Sequence, residues 1–246
     1  TEGDRSMVDL LGGKGANLAE MSSLGINVPP GFTVTTEVCN YFIENKSFPD
    51  KFDKELETAL TNLEKLTEKK FNDDKTPLLL SVRSGGKVSM PGMMDSILNI
   101  GINDKNVDAL ASNFNDERFA LDSYRRLIQM YGNVVLEIEM DRFEAIIDNK
   151  KRIDGVENDN DFDSEQLSWI IDAFKTTVER FGGNPFPQDP IIQLKLSIEA
   201  VFKSWLNKRA VTYRKINNIP NNLGTATTVQ SMVFGNLNES SGTGVA

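Results

Sequence analysis

A chain of 246 residues, 39% hydrophobic and 26% charged, is long enough to bury a real core in one large domain or two moderate ones. Its 27 basic and 36 acidic side chains leave a formal charge of −9, which excludes a general nucleic-acid or anionic-membrane surface and leaves only local basic pockets for small anions. The single Cys39 and the absence of histidine exclude an internal disulfide, a structural zinc site, imidazole metal ligands and a histidine nucleophile or base supplied by these residues. What remains for chemistry is lysine, arginine, carboxylates and backbone amides. No apolar run reaches the roughly 18 residues of a membrane span, and the polar opening TEGDRSMVD lacks a signal-peptide pattern. The expected setting is cytoplasmic, an organelle being compatible too.

In chain order, MVDLL at 7–11 leads into Gly12, Gly13, Lys14 and Gly15 and then into a helix marked by Leu18, Met21 and Leu24, with Gly25 placed as its C′ cap. A glycine loop thus opens a helix. Helix N-terminal amides beside one lysine make an anion site, and a tight turn with a solvated Lys14 accounts for the same residues. The spacing is neither G-x-x-x-x-G-K-[ST] nor G-x-G-x-x-G. Residues 32–35 alternate as a strand, and Thr36 is placed to cap a helix holding Cys39, Phe42 and Ile43, where Cys39 reads as core and not as a reactive thiol. Over 49–70, Phe52, Leu56, Leu60, Leu63 and Leu66 step at helical intervals beneath a charged outer face.

Residues 78–95, LLLSVRSGGKVSMPGMMD, read as a buried strand that delivers Arg83 to a sheet edge beside a flexible Ser-Gly-Gly-Lys turn. A planar guanidinium beside bare backbone amides suits a phosphate, and an ordinary ion-paired strand end fits as well. Residues 96–102 alternate as a second strand. From 103 to about 188 the period is helical, with helices expected at 107–114, 117–135, 143–151 and 164–181, the last capped by Ser164. Phe119, Tyr124, Leu127, Ile128 and Tyr131 form a core stripe with two arginines beside it. Between 137 and 165 there are 11 acidic and four basic residues, and VENDNDFD at 156–163 reads as a solvated loop and not a metal site.

GGNPFPQDP at 182–190 is the clearest boundary. One long helix is expected over 191–217, its basic Lys208, Arg209, Arg214 and Lys215 able to complement the C-terminal dipole or to face an anion. A strand over 225–234 and the glycine-rich SSGTGVA at 240–246 close the sequence. Three glycine-rich loops therefore adjoin apolar segments, at 12–15, 84–87 and 241–244. On one sheet they would converge on a polyphosphate, with Lys14, Arg83 or Lys87 supplying charge.

LLGGKGANLAEM at 10–21, VPPGFTVTTEVC at 28–39, SVRSGGKVSMPGMMDSILNIGIND at 81–104, DSYRRLIQMYG at 122–132, and GTATTVQSMVFGN through SGTGVA together resemble the nucleotide-binding region of the pyruvate, phosphate dikinase family. The resemblance implies an α+β fold, the first part of an ATP-grasp type nucleotide-binding domain with an inserted helical subdomain. Residues 1–102 and 189–246 would form the first subdomain plus the start of the next, and 103–188 the insertion. It implies that Lys14, Arg83, Thr243 and Gly244 bind ATP phosphates, with Gly13, Gly15, Ser84, Gly85, Lys87 and Gly92 as supporting-loop residues.

The implied reaction passes phosphoryl from ATP to a histidine on another domain and then to pyruvate, giving phosphoenolpyruvate, AMP and pyrophosphate. The implied cofactor is Mg2+ with ATP, its ligands expected beyond Ala246, with no metal site and no complete catalytic set in this chain. Implied partners are ATP, the phosphohistidine and pyruvate-binding domains, and a second copy in a full-length homodimer; no nucleic acid or membrane is expected. The chain alone is expected to be inactive. Phosphoenolpyruvate synthase, a water dikinase, shares the GGKGANL and SVRSS-like blocks, but the SMPGMMD loop at 89–95 favours the phosphate-using enzyme. A non-catalytic nucleotide-binding module is the third reading, separated by nucleotide titration.

Overall fold

The computed structural model describes residues 2–237 and 240–242. The chain divides into two compact units, each assembled from three stretches: 1–69, 80–97 and 194–231 in the first, and 70–79, 98–193 and 232–246 in the second.

Helix and sheet are mixed. Strands β1 (Gly31–Val34), β2 (Leu80–Gly85), β3 (Ser96–Ile100) and β4 (Ala226–Ser231) form one four-stranded sheet in the order β1-β4-β2-β3. β4 runs antiparallel to both β1 and β2, with Thr228 opposite Thr33 on one side and opposite Arg83 on the other. The β-branched ATTV run suits this doubly paired position. Arg83 is therefore not at a sheet edge: β2 is an interior strand, and it continues through Ser84 and Gly85, which pair with Thr227 and Ala226. A local apolar run cannot reveal that a strand from the far end of the sequence will lie beside it.

Helix α1 (Val8–Ser23) begins before the glycines and breaks at Gly12, whose φ of 67° and ψ of 171° lie outside the helical region. The expected open loop is thus a kinked helix. Its C-terminus is a Schellman motif, in which Gly25 N–H donates to Ser22 C=O at 3.1 Å and Ile26 N–H to Met21 C=O at 3.0 Å, and Gly25 has the positive φ expected of C′. In α2 (Thr36–Asn45) the N-cap is Thr35; the Thr36 hydroxyl instead donates to Asp9 C=O at 2.7 Å, so the expected cap is a tie to α1. α3 (Phe52–Thr67) buries Phe52, Leu56, Leu60 and Leu63, each worth about 1.5–3 kcal/mol of transfer free energy, while Leu66 in its last turn stays 71% exposed. Phe48 stacks on Phe52 at 4.0 Å, and Phe42 meets Phe202 at 5.9 Å.

The single helix expected over 191–217 is two. In chain order the second unit contributes helices α4 (Val107–Phe114), α5 (Glu117–Val134), α6 (Met140–Asp154) and α7 (Ser164–Gly182). They precede α8 (Pro190–Ser204) and α9 (Lys208–Ile216). α8 ends in 3₁₀-type bonds, among them Leu206 N–H to Lys203 C=O at 2.8 Å. In an unbroken helix the Trp205 carbonyl would accept from the amide four residues on; here it accepts from Arg214 Nη1 at 2.7 Å. The Arg214 guanidinium lies 3.9 Å from the Trp205 ring centroid and donates to Asn221 Oδ1 at 2.9 Å, while Trp205 Nε1 donates to Asn221 C=O at 2.9 Å. Arg214, expected to complement a helix C-terminus or to face an anion, is instead the buried bracket that holds the bend.

The core of the second unit follows the apolar stripe of α5, whose Phe119, Tyr124, Leu127, Ile128 and Tyr131 are all buried. α5 packs chiefly on α7, and Phe143 of α6 meets Phe174 of α7 edge-on at 5.0 Å. Arg125, only 2% exposed, is neutralised by Asp122, which also accepts from Arg126 Nε at 2.8 Å. The 156–163 segment is largely exposed, as its polarity implies, but it is anchored at Phe162 and Asp159. Phe162 is 1% exposed, Arg118 Nε donates to its carbonyl at 2.8 Å, and Lys151 pairs with Asp159 at 2.6 Å. The N-cap of α7 is Asp163 and not Ser164; Asp163 and Gln166 form a reciprocal capping box, bonded at 2.8 and 2.9 Å.

Candidate functional site

In the first unit, the glycine segment of α1 lies flush against one face of the sheet. A Cβ on Gly12 would stand 1.6 Å from the Gly85 carbonyl oxygen, and one on Gly15 would stand 2.8 Å from Thr33 Oγ1. Glycine is required here less for freedom than for closeness. Backbone thereby meets backbone: Gly13 N–H donates to Gly86 C=O at 3.0 Å, joining the 12–15 and 84–87 segments directly.

That contact brings the cations together. Lys14 reaches over β2 and donates from Nζ to the Ser84 carbonyl at 2.6 Å. Arg83 projects from the same strand and is exposed, the one outward residue in a strand otherwise buried. The Lys14 ammonium has its pKa lowered, first by desolvation and then by the Arg83 charge. Neither cation forms an ion pair with a carboxylate among the described residues. Lys87 differs, since its ammonium is paired with Asp9, the two side chains 43% and 77% exposed.

The methionine segment turns away at the end of this region. Met90 is buried, Gly92 has a φ of 71° with open space around it, and the Met93 carbonyl accepts from Arg209 Nε at 3.1 Å. Arg209 is also ion-paired with Asp95. Met93 and α9 residues including Lys208, Arg209 and Tyr213 outline an open hollow of about 730 Å³ that contains neither Lys14 nor Arg83. Arg209 at this hollow is already neutralised by Asp95, whereas Lys14 and Arg83 have no carboxylate partner among the described residues, so the Lys14–Arg83 face is the better candidate for an anion.

The structure thus brings Gly13, Lys14, Gly15, Arg83, Ser84, Gly85 and Lys87 into one neighbourhood, with Gly92 on the adjoining turn. Thr243 and Gly244 lie outside the described residues. The link between Asp95 and Arg209 has no signature in local sequence, because it depends on the bend after α8. Among the described residues, no group of three or more His, Cys, Asp or Glu side chains is placed to hold a metal ion. No helix among them is long and apolar enough to cross a membrane.

The family to which this arrangement belongs is one of nucleotide-binding domains: residues 8–68 and 47–246 match the model described as pyruvate phosphate dikinase, AMP/ATP-binding domain, and the chain belongs to that family. Its relatives carry the enzyme's name. It is 50% identical over 246 residues to pyruvate, phosphate dikinase of Rhizobium meliloti (strain 1021), covering all of this chain and 27% of that protein. The corresponding protein of Clostridium symbiosum is 51% identical over 247 residues, with 28% of its length covered. Pyruvate, phosphate dikinase 1, chloroplastic, of Oryza sativa subsp. japonica is 48% identical over 246 residues, with 26% covered. The chain spans about a quarter of the length of these curated relatives.

Proposed function

We propose that this chain is the ATP-binding part of a pyruvate, phosphate dikinase, folded as the first part of an ATP-grasp type domain with the helical residues 103–188 inserted. In this reading Lys14 and Arg83 hold the phosphates of ATP, supported by backbone at Gly13, Gly15, Ser84 and Gly85, by Lys87 and Gly92 at the periphery, and by Thr243 and Gly244. The observation that carries it is the placement of two cations from distant segments on one glycine-lined face with, among the described residues, no carboxylate paired to either. Holding like charges together is unfavourable unless an anion is the intended third member.

Phosphoryl transfer depends mainly on positioning and charge neutralisation. Lys14 and Arg83 would fix the polyphosphate and offset its charge. The donor set of two cations and backbone groups fits phosphate and not a bare metal ion, so Mg2+ would arrive with the nucleotide and take its protein ligands elsewhere. With no histidine in these residues, the phosphoryl acceptor of the proposed scheme must be supplied by another domain, as must the pyruvate site. The full-length enzyme would act as a homodimer.

Titration of ATP with Mg2+ by calorimetry tests the reading. Each charge-assisted contact is worth about 1.5–3 kcal/mol, so Lys14→Ala and Arg83→Ala should each weaken binding roughly 10- to 150-fold. Unchanged affinity in both variants would sink it. The chain by itself should form no phosphoenolpyruvate from ATP, phosphate and pyruvate.

A further inference from the structure

On the same face of the sheet as Arg83 lies a hydroxyl that no group among the described residues uses. Thr228 stands directly opposite Arg83 in the β2–β4 register, so the two side chains project from the same face, as does Gly85 two residues along β2. Thr228 is 4% exposed, and its Oγ1 has no hydrogen-bond partner among the described residues. Oγ1 lies beside the bare face of Gly85: a Cβ built there would stand 3.7 Å from Thr228 Oγ1 and 3.6 Å from Lys14 Cβ. The hydroxyl and the stem of Lys14 thus both border the open space over Gly85, and the Lys14 ammonium is held at the Ser84 carbonyl. Buried hydroxyls without partners are uncommon and unfavourable, and this one shares its face with Arg83 and adjoins Gly85, which Lys14 also borders.

We infer that Thr228 is a phosphate-binding residue of this site, its hydroxyl donating to a phosphate oxygen of the adenine nucleotide held by Lys14 and Arg83, an assignment that rests on the nucleotide-binding reading above. When the anion draws the Lys14 ammonium off Ser84, its charge turns toward the face that Arg83 and Thr228 share, and Oγ1 becomes the floor of the site. Glycine at position 85 is what leaves that floor bare. Thr227 also has an unpartnered hydroxyl, but it neighbours Thr228 on the strand and so projects from the opposite face, away from Arg83.

The test is calorimetric titration of the whole chain with Mg-ATP and, in parallel, with adenosine, for Thr228→Val, Thr228→Ser and Gly85→Ala. Thr228→Val preserves shape and removes only an unpaired polar atom, so its thermal midpoint should equal or exceed that of the unsubstituted chain. Its ATP affinity should fall about tenfold, the loss of one hydrogen bond to a charged group, with adenosine unaffected. Thr228→Ser should stay within about twofold of the unsubstituted chain, because the donor is retained. Gly85→Ala has room for its methyl in the free chain; it should fold normally and lose ATP affinity by roofing the hydroxyl, which keeps the inference exposed if Thr228→Val folds poorly. Unchanged ATP affinity in Thr228→Val, or in Gly85→Ala should the valine variant misfold, overturns the inference. If Lys14→Ala and Arg83→Ala lose ATP while Thr228→Val does not, this inference alone fails; if none of the variants changes ATP affinity, the nucleotide-binding reading fails with it.

Discussion

Gly12 shows how one residue can carry two requirements at once. Its backbone occupies a region that side chains rarely adopt, and the space where a Cβ would stand is filled by the Gly85 carbonyl. Relaxing the torsion does not cure the collision, and retracting α1 would break the Gly13–Gly86 hydrogen bond that joins the two glycine segments. Gly12→Ala should therefore cost more than about 3 kcal/mol in urea denaturation, combining backbone strain with overpacking. Lys14 and Arg83 were legible as candidate cations because each stands next to glycines in the sequence. Thr228 was not, since its place opposite Arg83 is a matter of register between strands whose sequence neighbourhoods say nothing of each other.

Among elements, the helices of the second unit followed their apolar period closely, because α5 and α7 bury continuous stripes against one another and nothing competes with the pattern. Their caps were less readable: Asp163 and Ser164 are both good cap residues, and the choice falls to Asp163 through its reciprocal bond with Gln166. The bend between α8 and α9 left no glycine or proline to announce it. It is imposed by Arg214, which takes over the Trp205 carbonyl, stacks on the Trp205 ring and reaches Asn221. A lysine keeps the charge and loses the planar fork. Arg214→Lys should destabilise the chain by about 2–4 kcal/mol, read from the urea midpoint, since a buried cation would be left short of partners.

For the whole molecule, helix content and membership of the dikinase family were readable from sequence blocks, whereas the sheet order was not, because β4 joins residues near 31 and 81 to residues near 230. Stability against alkali receives two opposed contributions. Burial pushes the Cys39 thiol up to about 11 from 9.0, opposed in part by the Thr225 amide, so the folded state holds its proton longer than the unfolded chain does. Its contribution is full below pH 9 and is lost as pH rises through about 11. Lys14 has the opposite sign: with its pKa lowered by desolvation and by Arg83, the unfolded chain binds its proton more tightly, and its unfavourable contribution eases as pH rises toward 10.5. Thermal midpoints measured across this range should fall less steeply with pH in Cys39→Ala and more steeply in Lys14→Ala.

The central position of β4 also sets an order of events during synthesis. A ribosome releases β1 and β2 well before the strand that separates and pairs them, so the nascent chain carries β1 without a partner and β2 paired on one side only, by β3, while the whole helical stretch is being made. Closing of the full sheet is a late step that waits for residue 231 to leave the exit tunnel. Until then the exposed strand edges are what chaperones would have to shield.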